Sequence, residues 1–247
     1  MTVTILHGDC RDVLPTLPAD SFDCAFCDPP YGETSLEWDR WPSGWLDEVE
    51  RVLKPNGSMW LCGSFRMFLQ RADELKGWKF IQDVIWEKHN GTNPQNDRFR
   101  RVHEIVAQFT KETAWGEIYK LPQFTSDATA RTVRRKARPP QWGNIGAASY
   151  KSHDGGPRLM RSVLPIRSEH GRAIHPTQKP VPLVEVLLRY SCPPGGSIID
   201  PFSGSGTTGI VAREIGCNAT LIELNPAYRD MGAARIRDDA PLFAEVS

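Results

Sequence analysis

Near the C-terminal end of this 247-residue chain, the run Ile198-Ile199-Asp200-Pro201-Phe202-Ser203-Gly204-Ser205-Gly206-Thr207-Thr208-Gly209 passes from apolar residues through a glycine loop into a helix-forming stretch. A buried strand that turns at glycines straight into a helix opens a crossover unit, and such units stack into a mostly parallel sheet covered by helices. Glycines let backbone approach a ligand closely, and the helix start offers unpaired amide donors. Nineteen residues after Gly204 comes Glu223, closing a second apolar run, Ala219 to Ile222, where an acid can accept both hydroxyls of a ribose. Gly204, Gly206 and Gly209 also satisfy G-x-G-x-x-G, so the loop by itself does not choose between a nicotinamide dinucleotide and another adenosine-bearing cofactor. Asp200 helps to break the tie. An acid just before the loop is poorly placed near a pyrophosphate and well placed for a cationic ammonium group, which S-adenosylmethionine carries in its methionine moiety. Its sulfonium prefers aromatic and carboxylate neighbours, which Phe202, Tyr31 and Asp28 could supply.

The rest of the chain agrees with an α/β fold. Seven short runs rich in Val, Ile and Phe read as strands: Thr4 to His7, Phe22 to Cys27, Ser58 to Cys62, Ile81 to Trp86, Glu104 to Phe109, Ser197 to Ile199 and Ala219 to Ile222. Helical periodicity covers Gly44 to Leu53, stopped by Pro55-Asn56-Gly57, and Pro182 to Tyr190; further helices are expected at Thr207 to Ile215 and Pro226 to Ile236. Between Thr113 and Ala173 the pattern weakens into Pro, Gly, Ser and Arg with isolated Tyr119, Trp142 and Tyr150. That stretch reads as a loop-rich recognition insertion dividing the two halves of one domain, 1–112 and 174–247.

The chain carries no net charge, yet Arg131 to Arg172 holds ten basic residues against Asp154 and Glu169. Such a block on an otherwise acidic body is a footprint for a polyphosphate backbone, although a solvated loop would look the same by charge alone. No run of about 18 apolar residues exists to span a bilayer, and the opening residues lack a secretory pattern, so a cytoplasmic protein of a bacterium or phage is expected. The six cysteines lie in apolar segments and read as small buried hydrophobes. Cys24 and Cys27 form one C-x-x-C without a second pair or His cluster, and no metal is expected.

The chemistry-bearing motif is Asp28-Pro29-Pro30-Tyr31-Gly32, at the carboxyl end of the run Phe22 to Cys27, where open α/β sheets place their ligands. The prolines remove backbone donors and hold the chain extended, leaving carbonyl oxygens free to accept. An aromatic amine is a poor nucleophile because its lone pair is delocalised into the ring. The Asp28 carboxylate and the Pro29 carbonyl can accept its two hydrogens and turn the lone pair toward an electrophile. Tyr31 offers a flat face for a flipped-out base. A third motif, His175-Pro176-Thr177-Gln178-Lys179-Pro180, leads into the helix at Pro182; as plain structure it is a rigid helix entry with Thr177 as a local cap.

Together these segments resemble the circularly permuted beta group of DNA amino-methyltransferases, in which D-P-P-Y comes first, a target-recognition region follows, and H-P-T-Q-K-P and D-P-F-x-G-S-G-T-T lie near the C-terminus. The resemblance covers nearly everything except Thr113 to Ala173. It implies a seven-stranded, Rossmann-like S-adenosylmethionine-dependent fold in which Ser197 to Ile199 is the first strand, Ala219 to Ile222 the second and Thr4 to His7 the third. It places Asp9 and Cys10 at the adenine end of the cofactor, with His175, Thr177 and Lys179 closing over the methionine end. Ser205, Gly206, Thr207 and Thr208 complete the loop across which cofactor lies. Trp86-Glu87-Lys88-His89-Asn90, with Arg98, Arg100, Arg101 and His103-Glu104, looks like the part that borders the flipped base. Lys88, Arg98, Arg100 and Arg101, with Arg131, Arg134, Arg135, Lys136 and Arg138 of the basic block, are the expected DNA contacts.

By the same resemblance, enzymes acting on adenine mostly carry Asp at the first motif position and those acting on cytosine mostly Ser, so Asp28 favours adenine. The implied reaction is direct in-line transfer of methyl to the exocyclic amine of adenine in double-stranded DNA; none of the cysteines occupies a Pro-Cys nucleophile position. Cytosine-N4 methylation and methylation of RNA are the alternatives, and a homodimer is an assembly the group often forms. A nicotinamide oxidoreductase would leave Asp28 to Tyr31 without a role, and a silent DNA-binding subunit would not need Asp28, Tyr31, Asp200 and Glu223.

Overall fold

The computed structural model describes residues 1–92, 97–135, 146–169 and 171–239. In chain order its elements are β1 (Val3–His7), α1 (Cys10–Val13), β2 (Phe22–Cys27), α2 (Trp45–Val52), β3 (Leu53–Gly63), α3 (Phe65–Gln70), β4 (Lys79–Thr92), β5 (Arg101–Thr110), β6 (Phe124–Thr125), β7 (Arg131–Arg135), β8 (Ala148–Ser152), β9 (Arg158–Leu159), β10 (Val163–Pro165), α4 (Val181–Ser191), β11 (Ser197–Asp200), α5 (Thr207–Glu214), β12 (Asn218–Glu223) and α6 (Pro226–Asp239). All seven expected strands form. They join β10 in an eight-stranded sheet of order β1-β12-β11-β2-β3-β5-β4-β10.

The eighth strand corrects the expectation of seven. β10 is three residues long, ends in Pro165 and pairs parallel with β4 at the sheet edge, where a residue without an N–H costs little. β1 pairs in parallel with β12, so the first strand of the chain closes beside the last. Numbered from β11, the seven-strand part runs 3-2-1-4-5-7-6, with β5 antiparallel between β3 and β4. This is the circularly permuted arrangement, and its strand order reverses between β11 and β2.

Each helix forms for a legible reason. α2 buries Trp45, Leu46, Val49 and Val52 against one face of the sheet, each fully buried aliphatic chain contributing roughly 1.5–3 kcal/mol. It ends at Val52, earlier than Pro55-Asn56-Gly57, which instead bulge out of β3 as the pairing with β2 slips between Phe22↔Leu53 and Cys24↔Ser58. α3 starts at Ser64, whose hydroxyl accepts the Met67 N–H. α4 has Pro at its first turn and packs on the other face, where Ser191 accepts the Trp60 indole N–H at 2.9 Å.

Cys24 and Cys27, three apart on a strand, point to opposite faces: Cys24 lies 3.1 Å from Ser191 and Cys27 belongs to the core beneath α2. The two cannot converge on one ion. No helix among the described residues is long and apolar enough to cross a membrane.

The chain divides into two compact units, Met1–Leu121 with Ser162–Ser247, and Pro122–Arg161. The second unit lies inside the 113–173 stretch and contains two small ladders, β6 with β9 and β7 with β8.

Candidate active site

The two motifs that carry the chemistry are far apart in the chain, yet β2 and β11 are neighbours, so Asp28 and the glycine loop leave the sheet side by side where the strand order reverses. Ligands of open α/β sheets bind in that crevice. Carboxylates stand at the carboxyl ends of four adjacent strands: Asp9 after β1, Glu223 ending β12, Asp200 ending β11 and Asp28 after β2. An acid-lined edge of this kind fits a cationic, ribose-bearing cofactor and repels a pyrophosphate, and the residues present therefore fit S-adenosylmethionine better than a dinucleotide.

The loop is held from several sides. Gly204 and Gly206 have positive φ, +49° and +74°, and a side chain on Gly206 would meet the Gly232 backbone at 3.2 Å. Asp200, 3% exposed, accepts the Phe202 N–H at 2.9 Å and the Thr208 hydroxyl at 2.5 Å. Burial nevertheless raises its pKa to about 7. Asp200 thus organises the loop. Arg235, which carries no motif of its own in the sequence, donates from α6 to the Ser205 carbonyl and to the Ser205 and Thr207 hydroxyls. The Thr207 hydroxyl donates to the Lys179 carbonyl at 3.2 Å, tying the loop to the third motif.

At β12, Glu223 accepts the Gly204 N–H and the Asn225 N–H, both at 2.8 Å, and burial raises its pKa. Asp9 caps α1 and is gripped by Arg11 at 2.6 Å, whose hydrogen bonds hold its carboxyl below the usual range. Cys10 beside it is buried, and its thiol is pushed up to about 12 by desolvation and then by Asp9. His175 sits over Gly204, with Tyr228 edge-on at 4.4 Å and Trp38 at 5.6 Å; its Nδ1 accepts the Thr177 N–H, and burial lowers its pKa. Phe202 meets the Trp45 ring edge-on at 4.9 Å.

Asp28 is the centre of a second cluster. Its Oδ1 accepts the Tyr31 hydroxyl at 2.8 Å, and its Oδ2 accepts the Lys179 ammonium at 2.5 Å. The Tyr31 hydroxyl is pushed well above its ordinary range by burial and by Asp28. Pro29 is buried and Pro30 half-buried, so the extended chain between Asp28 and Tyr31 is fixed. The loop beyond is pinned by Asp39, 7% exposed, which accepts the N–H groups of Gly32, Glu33 and Thr34 at 2.8, 3.0 and 2.6 Å. Glu33 in turn receives Ser64 and, at 3.2 Å, Arg101.

Lys179, expected over the methionine end of the cofactor, places its ammonium on Asp28 and is 6% exposed. Lys88, expected on DNA, is paired with Glu104 and stands 4.5 Å over the Trp86 ring. Glu104, expected to border the flipped base, is paired with both Lys88 and Lys179. Burial would raise its pKa, but Lys179 and then Lys88 bring it down to about 2, while the carboxylates of Asp28 and Glu104 push Lys179 above its usual range against the opposing effect of burial.

Of the remaining expected DNA contacts, Arg98 is paired with Asp97 and Arg100 is exposed. On the β7–β8 ladder Arg131 and Arg134 are exposed, with Lys151 opposite Thr132 and Tyr150 opposite Val133. Lys136 and Arg138 lie outside the described residues, as does Trp142.

Residues 22–234 match a family of N6 and N4 methyltransferases described as DNA methylase. The chain is 31% identical over 266 residues to the type II methyltransferase M.HinfI of Haemophilus influenzae, covering 96% of this chain and 69% of that protein. Among solved structures, M1.HpyAVI in complex with SAM superposes with a TM-score of 0.64 at 22% identity, covering 95% of this chain and all of that one. The cytosine-N4-specific PvuII DNA methyltransferase gives 0.64 at 18% identity over 97% and 91%. TTHA0409 of Thermus thermophilus, complexed with S-adenosyl-L-methionine, gives 0.62 at 23% identity over the whole of both chains.

Proposed function

Because the chain belongs to the N6/N4 DNA methylase family, and is thus an S-adenosylmethionine-dependent DNA amino-methyltransferase, we propose that its target is the exocyclic amine of adenine in double-stranded DNA. The observation that carries this reading is Asp28 at the end of β2, with the Tyr31 ring beside it and Pro29 buried behind. S-adenosylmethionine supplies an electrophilic methyl group on a sulfonium centre.

The protein's part is to present the amine. The target base leaves the helix and stacks on Tyr31, at a cost of a few kcal/mol for unstacking. Asp28 accepts one amine hydrogen and the Pro29 carbonyl the other, so nitrogen turns pyramidal with its lone pair toward the loop of Gly204 to Thr208. With the methyl transferred, the Asp28 carboxylate would take up the proton that the amine nitrogen gives up. Asp200 and Glu223 would hold the ammonium and ribose ends, Asp9 and Cys10 would border the adenine, and His175 lies over the loop at Gly204. Arg131 and Arg134 of the β7–β8 ladder contact the phosphate backbone.

The Asp of the first motif supports adenine; the fold shared with a cytosine-N4-specific enzyme makes cytosine the alternative. The test is transfer of labelled methyl from S-adenosylmethionine to unmethylated duplex DNA, followed by nucleoside digestion and mass analysis. N6-methyladenine is the expected product. N4-methylcytosine would keep the reaction and overturn the base assignment, and labelling only of single-stranded nucleic acid would overturn the duplex.

A further inference from the structure

Both oxygens of Asp28 are engaged before any base arrives: Tyr31 holds Oδ1 and Lys179 holds Oδ2. Each oxygen keeps a further lone pair, but a carboxylate oxygen held by an ammonium is a weakened acceptor for another N–H, so a target amine competes with Lys179 for Asp28. Tyr31 sits at the stacking position. Lys179 is the partner with somewhere else to go.

That place is Glu104. It projects from β5, two strands along from β2, and its Oε1 takes the Lys88 ammonium. Its Oε2 is buried with no hydrogen-bond partner among the described residues, yet stands only 3.5 Å from Lys179 Nζ. A buried carboxylate oxygen held only by a long ion pair is under-satisfied, and the ammonium 3.5 Å away, with three donors, can satisfy it by a short shift. The four charges Lys88, Glu104, Lys179 and Asp28 sum to zero, so moving Lys179 from one carboxylate to the other leaves the buried cluster neutral.

We propose that Glu104 is a positioning residue that receives the Lys179 ammonium when the target base enters, freeing Asp28 Oδ2 to accept the amine hydrogen. Lys179 then has two stations about one side-chain adjustment apart. On Asp28 it keeps the empty site's carboxylate satisfied; on Glu104 it withdraws positive charge from a nitrogen that is becoming positive. This rests on the reading of Asp28 as the amine acceptor.

The test is the pair Glu104→Gln and Glu104→Gln/Lys179→Gln, assayed for kcat on unmethylated duplex DNA, for KM of S-adenosylmethionine and for melting temperature. Without the Glu104 charge, Lys179 stays on Asp28, so the single variant should lose at least about thirtyfold in kcat with the cofactor KM within about twofold of wild type. Removing the ammonium as well should restore activity to within about tenfold of wild type. A structural role for Glu104 would also be relieved by removing both charges, but it would show as a fall and recovery of melting temperature, whereas the proposed role lowers kcat at temperatures where Glu104→Gln is fully folded. The double variant replaces one charge of each sign, so it keeps the cluster neutral and keeps the proposal open to refutation even if the single variant melts below the assay temperature.

A double variant no faster than Glu104→Gln, or one more than about a hundredfold below wild type where the single variant is unfolded, overturns the proposal. Asp28→Ala distinguishes the two levels. If it is inactive while the double variant shows no rescue, only the role of Glu104 falls; if Asp28→Ala still transfers methyl, the reading of Asp28 falls with it.

Discussion

The strand-end site and the 122–161 unit are both rich in charge, but they hold it in opposite ways. At the strand ends, Asp28, Lys179, Glu104 and Asp200 have buried partners at defined distances, and Asp39 alone fixes three consecutive N–H groups. In the unit, Arg131 and Arg134 project from a two-stranded ladder into solvent. Two-stranded ladders are marginal elements by themselves, and exposed charges are held loosely. The difference follows from what each task demands. Amine activation needs acceptors placed to within a fraction of an ångström before the base arrives, whereas neutralising phosphates needs only charge within reach.

That contrast predicts which property each substitution should change. The largest effect is expected at Asp28: Asp28→Ala should lower single-turnover transfer on the order of a thousandfold or more while equilibrium binding of S-adenosylmethionine stays near wild type. Replacing Arg131 and Arg134 together by Gln should weaken DNA binding on the order of tenfold and make the salt dependence of log K shallower by about 2, read by anisotropy over a salt series. An unchanged salt slope would mean that the ladder does not touch phosphate.

Tyr31→Phe keeps the stacking face and removes only the hydroxyl on Asp28, so a loss of roughly two- to tenfold in kcat is expected, against a far larger one for Tyr31→Ala. The smallest effect concerns stability. Burial raises the Asp200 carboxyl to about 7 from an ordinary 3.8, so the folded, cofactor-free protein holds that proton over a range where the unfolded chain has lost it. The stability contributed by protonation is complete below about pH 3.8 and is lost as pH rises through about 7. Asp200→Asn should therefore gain on wild type by a few degrees of melting temperature between about pH 4 and pH 7, with the difference level above that range. A difference flat across it would place Asp200 outside the desolvated loop.

Much of this is legible in the sequence because it is local. The seven apolar runs become strands, and Gly204 to Gly206 becomes a loop because positive φ at both glycines and close packing of Gly206 on α6 require glycine there. β10 gives no signal, since three residues ending in proline carry no periodicity, and only pairing with β4 makes them a strand. The ammonium of Lys179 cannot be placed from its motif, because its partner Asp28 lies 151 residues away and meets it only once β2 and α4 are packed. Glu104 is hidden for the same reason: on the strand it is one polar residue between His103 and the apolar run Ile105-Val106-Ala107, and its meaning comes from Lys88 and Lys179 across the fold. Asp39 likewise follows a loop with no repeating pattern, and its three backbone bonds are a property of the folded turn alone.

The most direct test of the division between chemistry and DNA contact is rapid-quench methyl transfer in a single turnover, at saturating S-adenosylmethionine and saturating duplex DNA. Asp28→Ala and the Arg131→Gln/Arg134→Gln pair would be compared in that one assay. The account predicts no methylated product from the first on the wild-type timescale and a wild-type rate from the second, since the lost phosphate contacts are restored by mass action. A normal rate with Asp28→Ala, or a collapse of the saturated rate in the arginine pair, would contradict it.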